Sequence, residues 1–247
     1  RRSYLAACSS STRGLFGGGL GVSWEKTVDY VTIAIPGAAT DFGDLSDIRA
    51  FLSACSNSTR GIFGGGGVVD IYNIIEYVTI STPGNATDFG DLTVNRYYLS
   101  SCSSSMRGIF GGGYGSSYSN VIDYITIASP GNATDFGDLT VARAYLASCS
   151  NSTRGIFGGG GGGSSNIVDY ITIATTGNAT DFGDLTVARN NLAACSDSTR
   201  GVFGGGGSSN TIDYITIGTT GVCTDFGDLL ATRDYLASCS NGHGGLA

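Results

Sequence analysis

Lysine occurs once in these 247 residues, at Lys26, and histidine once, at His243. Charged residues make up only 13% of the chain, with 13 basic against 20 acidic side chains, a net charge of −7. No basic patch exists to neutralise phosphates, which argues against nucleic acid as a partner. The lone histidine sits in the glycine-rich tail Asn241-Gly242-His243-Gly244-Gly245, with no neighbour to orient it. No Ser/His/Asp set can be assembled without it, so the chain reads as non-enzymatic. No apolar run approaches the length of a membrane-spanning helix, and the 3.6-residue periodicity of amphipathic helices is absent. The first residues, Arg1-Arg2-Ser3-Tyr4, read as the interior of a repeat and carry no signal peptide, so the expectation is a fragment or a processed product.

What the chain has is one stretch written five times. An arginine ahead of a glycine run recurs at Arg13, Arg60, Arg107, Arg154 and Arg200, at spacings of 47, 47, 47 and 46 residues. An acidic-aromatic pair recurs at Asp29-Tyr30, Glu76-Tyr77, Asp123-Tyr124, Asp169-Tyr170 and Asp213-Tyr214. A DFGD tetrad begins at Asp41, Asp88, Asp135, Asp181 and Asp225. A period of this size marks a repeat architecture in which neighbouring units close on one another. The repeats run over approximately 2–48, 49–95, 96–142, 143–188 and 189–232, and 233–247 is a further copy of the first segment alone. Residues 1–247 therefore read as one domain.

Each repeat divides into four short segments, seen best in the fourth copy: 145–151, 152–160, 167–175 and 179–187. β-branched and aromatic enrichment, with turn signals every ten residues or so, predicts strands. Thr176-Gly177-Asn178 carries the positive-φ chemistry of a tight hairpin. Four strands per repeat, repeated radially, predict an all-β propeller of five blades, with six as the alternative, closed by pairing of the chain ends. The first strand is built of small residues such as Ala147, Ser148, Cys149 and Ser150, as a crowded axis requires.

Of seven cysteines, six occupy one repeat position: Cys8, Cys55, Cys102, Cys149, Cys195 and Cys239; Cys223 is extra. Equivalent positions in a ring lie beyond the roughly 7 Å Cα separation of a disulfide. They read as thiols packed as small apolar groups, and no CxxC pair supports a metal site.

The order of an arginine, a strand, Ile-Phe-Gly-Gly and an aromatic strand resembles the kelch repeat, in which a double glycine ends the second strand of each blade. The glycine pairs are Gly17-Gly18, Gly64-Gly65, Gly111-Gly112, Gly158-Gly159 and Gly204-Gly205. The chain departs from that family at Phe42, Phe89, Phe136, Phe182 and Phe226, which stand where kelch carries tryptophan. The array TRGIFGGG…DYITIATTGNATDFGDL with terminal SCSNGHGGL is also similar to repeat arrays of phage virion proteins associated with tail fibres. That resemblance implies a virion or extracellular location and fibre or virion proteins as partners.

The DFGD aspartates, in strand context and in five copies, read as structural. Asp181 and Asp184 flank a bend at Gly183 and would accept hydrogen bonds from backbone amides or from Arg154, making a brace. Calcium held by such tetrads is a minority reading, because each copy offers few acids. The glycine runs lack a following Gly-Lys-Ser/Thr and read as room for close backbone approach, so no cofactor is implied.

The repeats differ most in the loop after the glycine run. Trp24, Tyr72, Tyr114 and Tyr118 fall in equivalent loops of three adjacent repeats, on one expected face of the ring. Exposed aromatics on scaffold loops suit sugar stacking or a protein contact. The functional expectation is a binding module that presents this face to a surface glycan or receptor protein. A purely architectural role is the alternative, and a propeller enzyme is a third and poorer reading.

Overall fold

The computed structural model describes residues 2–238, and all of their regular structure is strand. Five four-stranded antiparallel sheets follow one another along the chain, each with its strands in sequence order. The first blade comprises β1 (Ala6–Ser9), β2 (Arg13–Gly17), β3 (Thr27–Thr32) and β4 (Thr40–Asp44). Counting four strands to a blade, the innermost strands of the next four blades are β5 (Ser53–Ser56), β9 (Ser100–Ser103), β13 (Ala147–Ser150) and β17 (Ala193–Ser196). Each innermost strand packs beside the next around the axis, from β1 to β17.

Small residues fill the inner strands because those strands approach one another without a shared ladder. Serine hydroxyls bridge them instead. Ser56 Oγ donates to the Ser9 carbonyl (2.7 Å), Ser103 to Ser56 (2.7 Å), Ser150 to Ser103 (2.8 Å) and Ser196 to Ser150 (2.7 Å). The cysteines form the neighbouring layer. Each presses its sulfur toward a glycine of the next blade, so that a Cβ at Gly61, Gly108, Gly155 or Gly201 would lie 2.6–2.9 Å from Sγ of Cys8, Cys55, Cys102 or Cys149. These thiols pack as small buried apolar groups. Cys239 and His243 lie outside the described residues.

Blades join through phenylalanine on glycine. Phe63, Phe110, Phe157 and Phe203 cover Gly17, Gly64, Gly111 and Gly158 of the preceding blade, where an added Cβ would come within 2.6–2.7 Å of the ring. The glycine following strand two then turns with positive φ, as at Gly18 (66°). Gly-Asn does not form the tight hairpin expected of Thr176-Gly177-Asn178. The turn itself closes at Thr175 N to Thr172 O, and Gly177 N donates to Phe136 O of the preceding blade. The side chain of Asn178 accepts from Asp138 N. The turn-like residues serve the blade junction.

The brace is also built differently from the expectation. Arg13, Arg60, Arg107 and Arg154 stack over Tyr30, Tyr77, Tyr124 and Tyr170 at 4.5–4.6 Å from the ring centroids. Each donates to an isoleucine carbonyl of the next blade: Ile80, Ile127, Ile173 and Ile217. Arg200 stacks on Tyr214. The aspartates Asp41, Asp88, Asp135, Asp181 and Asp225 are exposed. Asp135, Asp181 and Asp225 each accept from the amide two residues on, at Gly137, Gly183 and Gly227, which is the backbone half of the expectation.

The buried ion pairs belong to another arginine. Arg49, Arg96, Arg143 and Arg189, which open the repeats, are almost wholly buried and pair with Glu76, Asp123, Asp169 and Asp213. A bulge between strands three and four falls at this acid in every blade, between Ile122 and Asp123 in the third. Such an irregularity re-aims a side chain, and here the acid is buried while its strand partner Asp135 faces water. Arg96 also donates to the carbonyls of Gly112 and Val121. Its pKa is drawn below the ordinary value by burial, against the opposing pull of Asp123. The Nε atoms of these four arginines have no acceptor among the described residues.

Candidate functional site

The second residue after each repeat-opening arginine is held in the left-handed region. Tyr4, Phe51, Tyr98, Tyr145, Asn191 and Tyr235 all have φ between 55° and 61°. For an aromatic residue this conformation costs on the order of 1–3 kcal/mol and persists only where its surroundings over-determine it. The surroundings here are a belt of hydrogen bonds between blades. The amides of Phe51, Tyr98, Tyr145, Asn191 and Tyr235 donate in turn to the carbonyls of Tyr4, Phe51, Tyr98, Tyr145 and Asn191, at 2.9–3.1 Å.

The belt gathers the side chains into a collar at one mouth of the axis. Ring centroids lie 4.9 Å apart for Tyr235–Tyr4, 4.6 Å for Tyr4–Phe51, 4.4 Å for Phe51–Tyr98 and 4.1 Å for Tyr98–Tyr145. With Asn191 they surround a depression of about 110 Å³, floored by Leu5, Leu52, Leu99, Leu146, Leu192 and Leu236. The contact of Tyr235 with Tyr4 also brings the first and sixth inner segments together at the axis. Burial and the neighbouring tyrosines raise the pKa of Tyr98 and Tyr145, so both hydroxyls stay protonated at neutral pH.

Three of the four loop aromatics expected from the sequence join this collar. Trp24 meets Phe51 (5.8 Å), and Tyr114 meets Tyr97 (5.8 Å) and Tyr118 (5.1 Å). Tyr97 in turn touches Phe51 and Tyr98. Tyr72 does not join. Isolated bridges pair Leu20 with Trp24, Gly67 with Ile71 and Tyr114 with Tyr118, so Ile71 occupies the equivalent place and Tyr72 falls one residue later. Its hydroxyl donates to Asp47 Oδ2 at 3.0 Å, the first cause of its raised pKa.

Sequence reasoning does not anticipate the collar, although Arg-x-Tyr/Phe-Leu recurs at 2–5, 49–52, 96–99, 143–146 and 233–236. An aromatic at one repeat position normally reads as core, and only its positive φ distinguishes it.

The channel below the collar is lined by alanine, serine and cysteine. Desolvation lifts the Cys55 thiol to about 12 and raises Cys102 well above its usual value, which makes them poor nucleophiles. Among the described residues no group of three His, Cys, Asp or Glu side chains is placed to hold a metal. No described helix is long and apolar enough to cross a membrane.

Neither the protein-family comparison nor the search of curated proteins finds a match. Among solved structures, that of YjhT superposes with a TM-score of 0.79 over 96% of this chain and 87% of that one, at 10% identity. The chain is a five-bladed β-propeller. At that identity the likeness is one of fold, and the propeller's collar has to be interpreted on its own chemistry.

Proposed function

We propose that this propeller is a non-enzymatic binding module whose aromatic collar engages a neutral surface glycan. The observation that carries the reading is the arc of aromatic rings held in strained backbone at one mouth of the axis. Strain of this kind concentrates at ligand-binding positions. Ring faces stack on the apolar faces of sugars, and tyrosine hydroxyls supply orienting hydrogen bonds. The depression is smaller than the roughly 300–1,000 Å³ of pockets that engulf a ligand. It suits a sugar ring resting on the collar.

Charge favours a neutral sugar. The loops and turns of this face carry Glu25, Asp47, Asp70 and Asp234 against Lys26 and Arg233. An anionic glycan would meet net repulsion. The resemblance of the repeat to kelch and to phage tail-fibre arrays suggests the setting: a virion fibre or another extracellular appendage whose outer face meets a host.

A glycan array probed with the purified chain tests this, beside Tyr98→Ala and a Trp24→Ala, Tyr114→Ala, Tyr118→Ala variant, with circular dichroism as the folding control. The expected result is binding to neutral glycans that is lost in the folded variants. A blank array from folded protein overturns the reading. If host-cell binding nevertheless remains sensitive to Tyr98→Ala, the face is assigned to a protein receptor instead.

A further inference from the structure

The blade junction is built four times over, and at the fifth place its partner is missing. Gly17, Gly64, Gly111 and Gly158 are each covered by a phenylalanine of the next blade, but among the described residues nothing lies within 4 Å of a Cβ built on Gly204. Gly43, Gly90, Gly137 and Gly183 each abut the Gly84, Gly131, Gly177 or Gly221 backbone of the next blade, and Gly227 again meets nothing among the described residues. Phe42, Phe89, Phe136 and Phe182 are 2–3% exposed, and their equivalent Phe226 is 57% exposed. On the opposite flank, Ile80, Ile127, Ile173 and Ile217 are 0–2% exposed, and their equivalent Ile33 is 51% exposed. The trailing face of blade five and the leading face of blade one therefore do not touch.

One blade's width separates them. The axis is surrounded by six inner positions: Tyr4, Phe51, Tyr98, Tyr145, Asn191 and Tyr235. The sixth belongs to residues 233–238, which repeat the inner-strand contacts of the others. Gly206 N donates to Arg233 O as Gly19 N does to Arg49 O, and Ser238 Oγ donates to Ala194 O as Ser148 Oγ does to Ser101 O. Arg233 occupies the position of the four buried arginines but is exposed, and among the described residues no carboxylate pairs with it.

We propose that this gap is a docking slot for one further repeat, carried on polypeptide outside residues 1–247, which adds strands two to four to the inner strand already in place. The two flanks specify the occupant's chemistry. It places a phenylalanine on Gly204, a Gly-Asn turn over Phe226 and Gly227, and a carboxylate on Arg233. Toward blade one it offers the glycine against which Phe16 packs. This is the repeat's own sequence. Burying the two apolar flanks, as every other junction does, supplies the driving force. A second copy of the chain does not have the required shape, because each of its blades is already flanked by a neighbour on at least one side and the slot needs both faces of one blade. Direct closure of blade five on blade one is blocked at the axis by residues 233–238.

The test appends residues 152–188, strands two to four of blade four, after Asn241 in place of residues 242–247. The extended chain is expected to melt in one transition above the parent's midpoint, with the added segment resistant to protease. Arg233→Gln is expected to leave the parent's midpoint unchanged and to lower that of the extended chain. Changing the copied Asp169 to Asn is expected to do the same. An added segment that is digested with no change in midpoint overturns the proposal, as does an Arg233→Gln effect equal in both chains. A parent that is dimeric, and whose dimer persists while the added repeat remains protease-sensitive, assigns the gap to a second copy and also overturns it.

Discussion

Replacing Asp123 by alanine leaves the Arg96 guanidinium buried with only carbonyl partners. Both side chains of the pair are 0% exposed, and Nη2 of Arg96 sits 2.6 Å from Asp123 Oδ2. Asp123 also accepts from Thr93 Oγ1 (2.6 Å) and from Thr93 N, so its loss loosens the junction with blade two as well. Removing one partner of a buried pair costs about 3–5 kcal/mol, because the remaining charge is uncompensated. For a domain of this length, that is roughly 6–20 °C in melting midpoint. The repeat contains its own control. In blade one the same pair is Arg2 with Asp29, whose side chains are 15% and 32% exposed. Water solvates what remains there, so Asp29→Ala is expected to cost about 1 kcal/mol or less. Equilibrium urea denaturation of the two variants reads the difference. Equal losses at positions 29 and 123, or a loss below about 1 kcal/mol at Asp123, would refute the argument that burial sets the strength of this pair.

Three further outcomes follow from the same geometry. Arg107→Ala removes the stack on Tyr124 and the hydrogen bond to Ile173 O, and is expected to cost roughly 1–3 kcal/mol. Asp135→Ala, at an exposed tetrad position, should stay within about 0.5 kcal/mol, and thermal melts compare the two. Gly64→Ala drives a Cβ to within 2.6 Å of Phe110 and is expected to cost about 1–3 kcal/mol, whereas Gly204→Ala meets none of the described residues and should be nearly neutral. Equal destabilisation by the two glycine variants in denaturant titrations would contradict the open seam. The Cys55 thiol, near 9.0 when unperturbed, is held protonated in the fold up to about 12. A raised folded value favours the native state below about pH 9, and this contribution is lost as pH rises from about 9 to about 12. Urea midpoints that fall over that range in the parent, and fall less in Cys55→Ala, are the expected result; parallel curves would dismiss the thiol as a cause.

Much of the architecture could be read from the chain because repetition multiplies weak signals. One Arg-Gly-Ile-Phe-Gly segment is an ambiguous strand; five such segments at a fixed spacing predict five blades. In the fourth repeat three strands are shorter than expected, with β13 at Ala147–Ser150 inside the predicted 145–151, whereas the outermost, at Thr180–Arg189, runs beyond the predicted 179–187. The loop aromatics were legible as departures from the repeat. Trp24, Tyr114 and Tyr118 reach the collar and Tyr72 does not, because a one-residue offset directs it to Asp47.

The sequence by itself determined the period, the strand-forming segments, the small residues at the axis and the glycines at which blades approach. These are local properties, carried by side-chain size, β-branching and the absence of a Cβ. Only the tertiary structure decided which arginine is buried. Arg96 and Arg107 are both repeated cations eleven residues apart. The bulge beside Asp123 gives the acid to Arg96 and leaves Arg107 to an aromatic ring and a carbonyl. Only the tertiary structure turned a repeated aromatic into a collar, since its exposure and its positive φ depend on hydrogen bonds from adjacent blades. The unmatched faces at Gly204 and Ile33 are likewise invisible in a repeat whose copies look alike, because burial at a junction belongs to pairs of blades and not to any one of them.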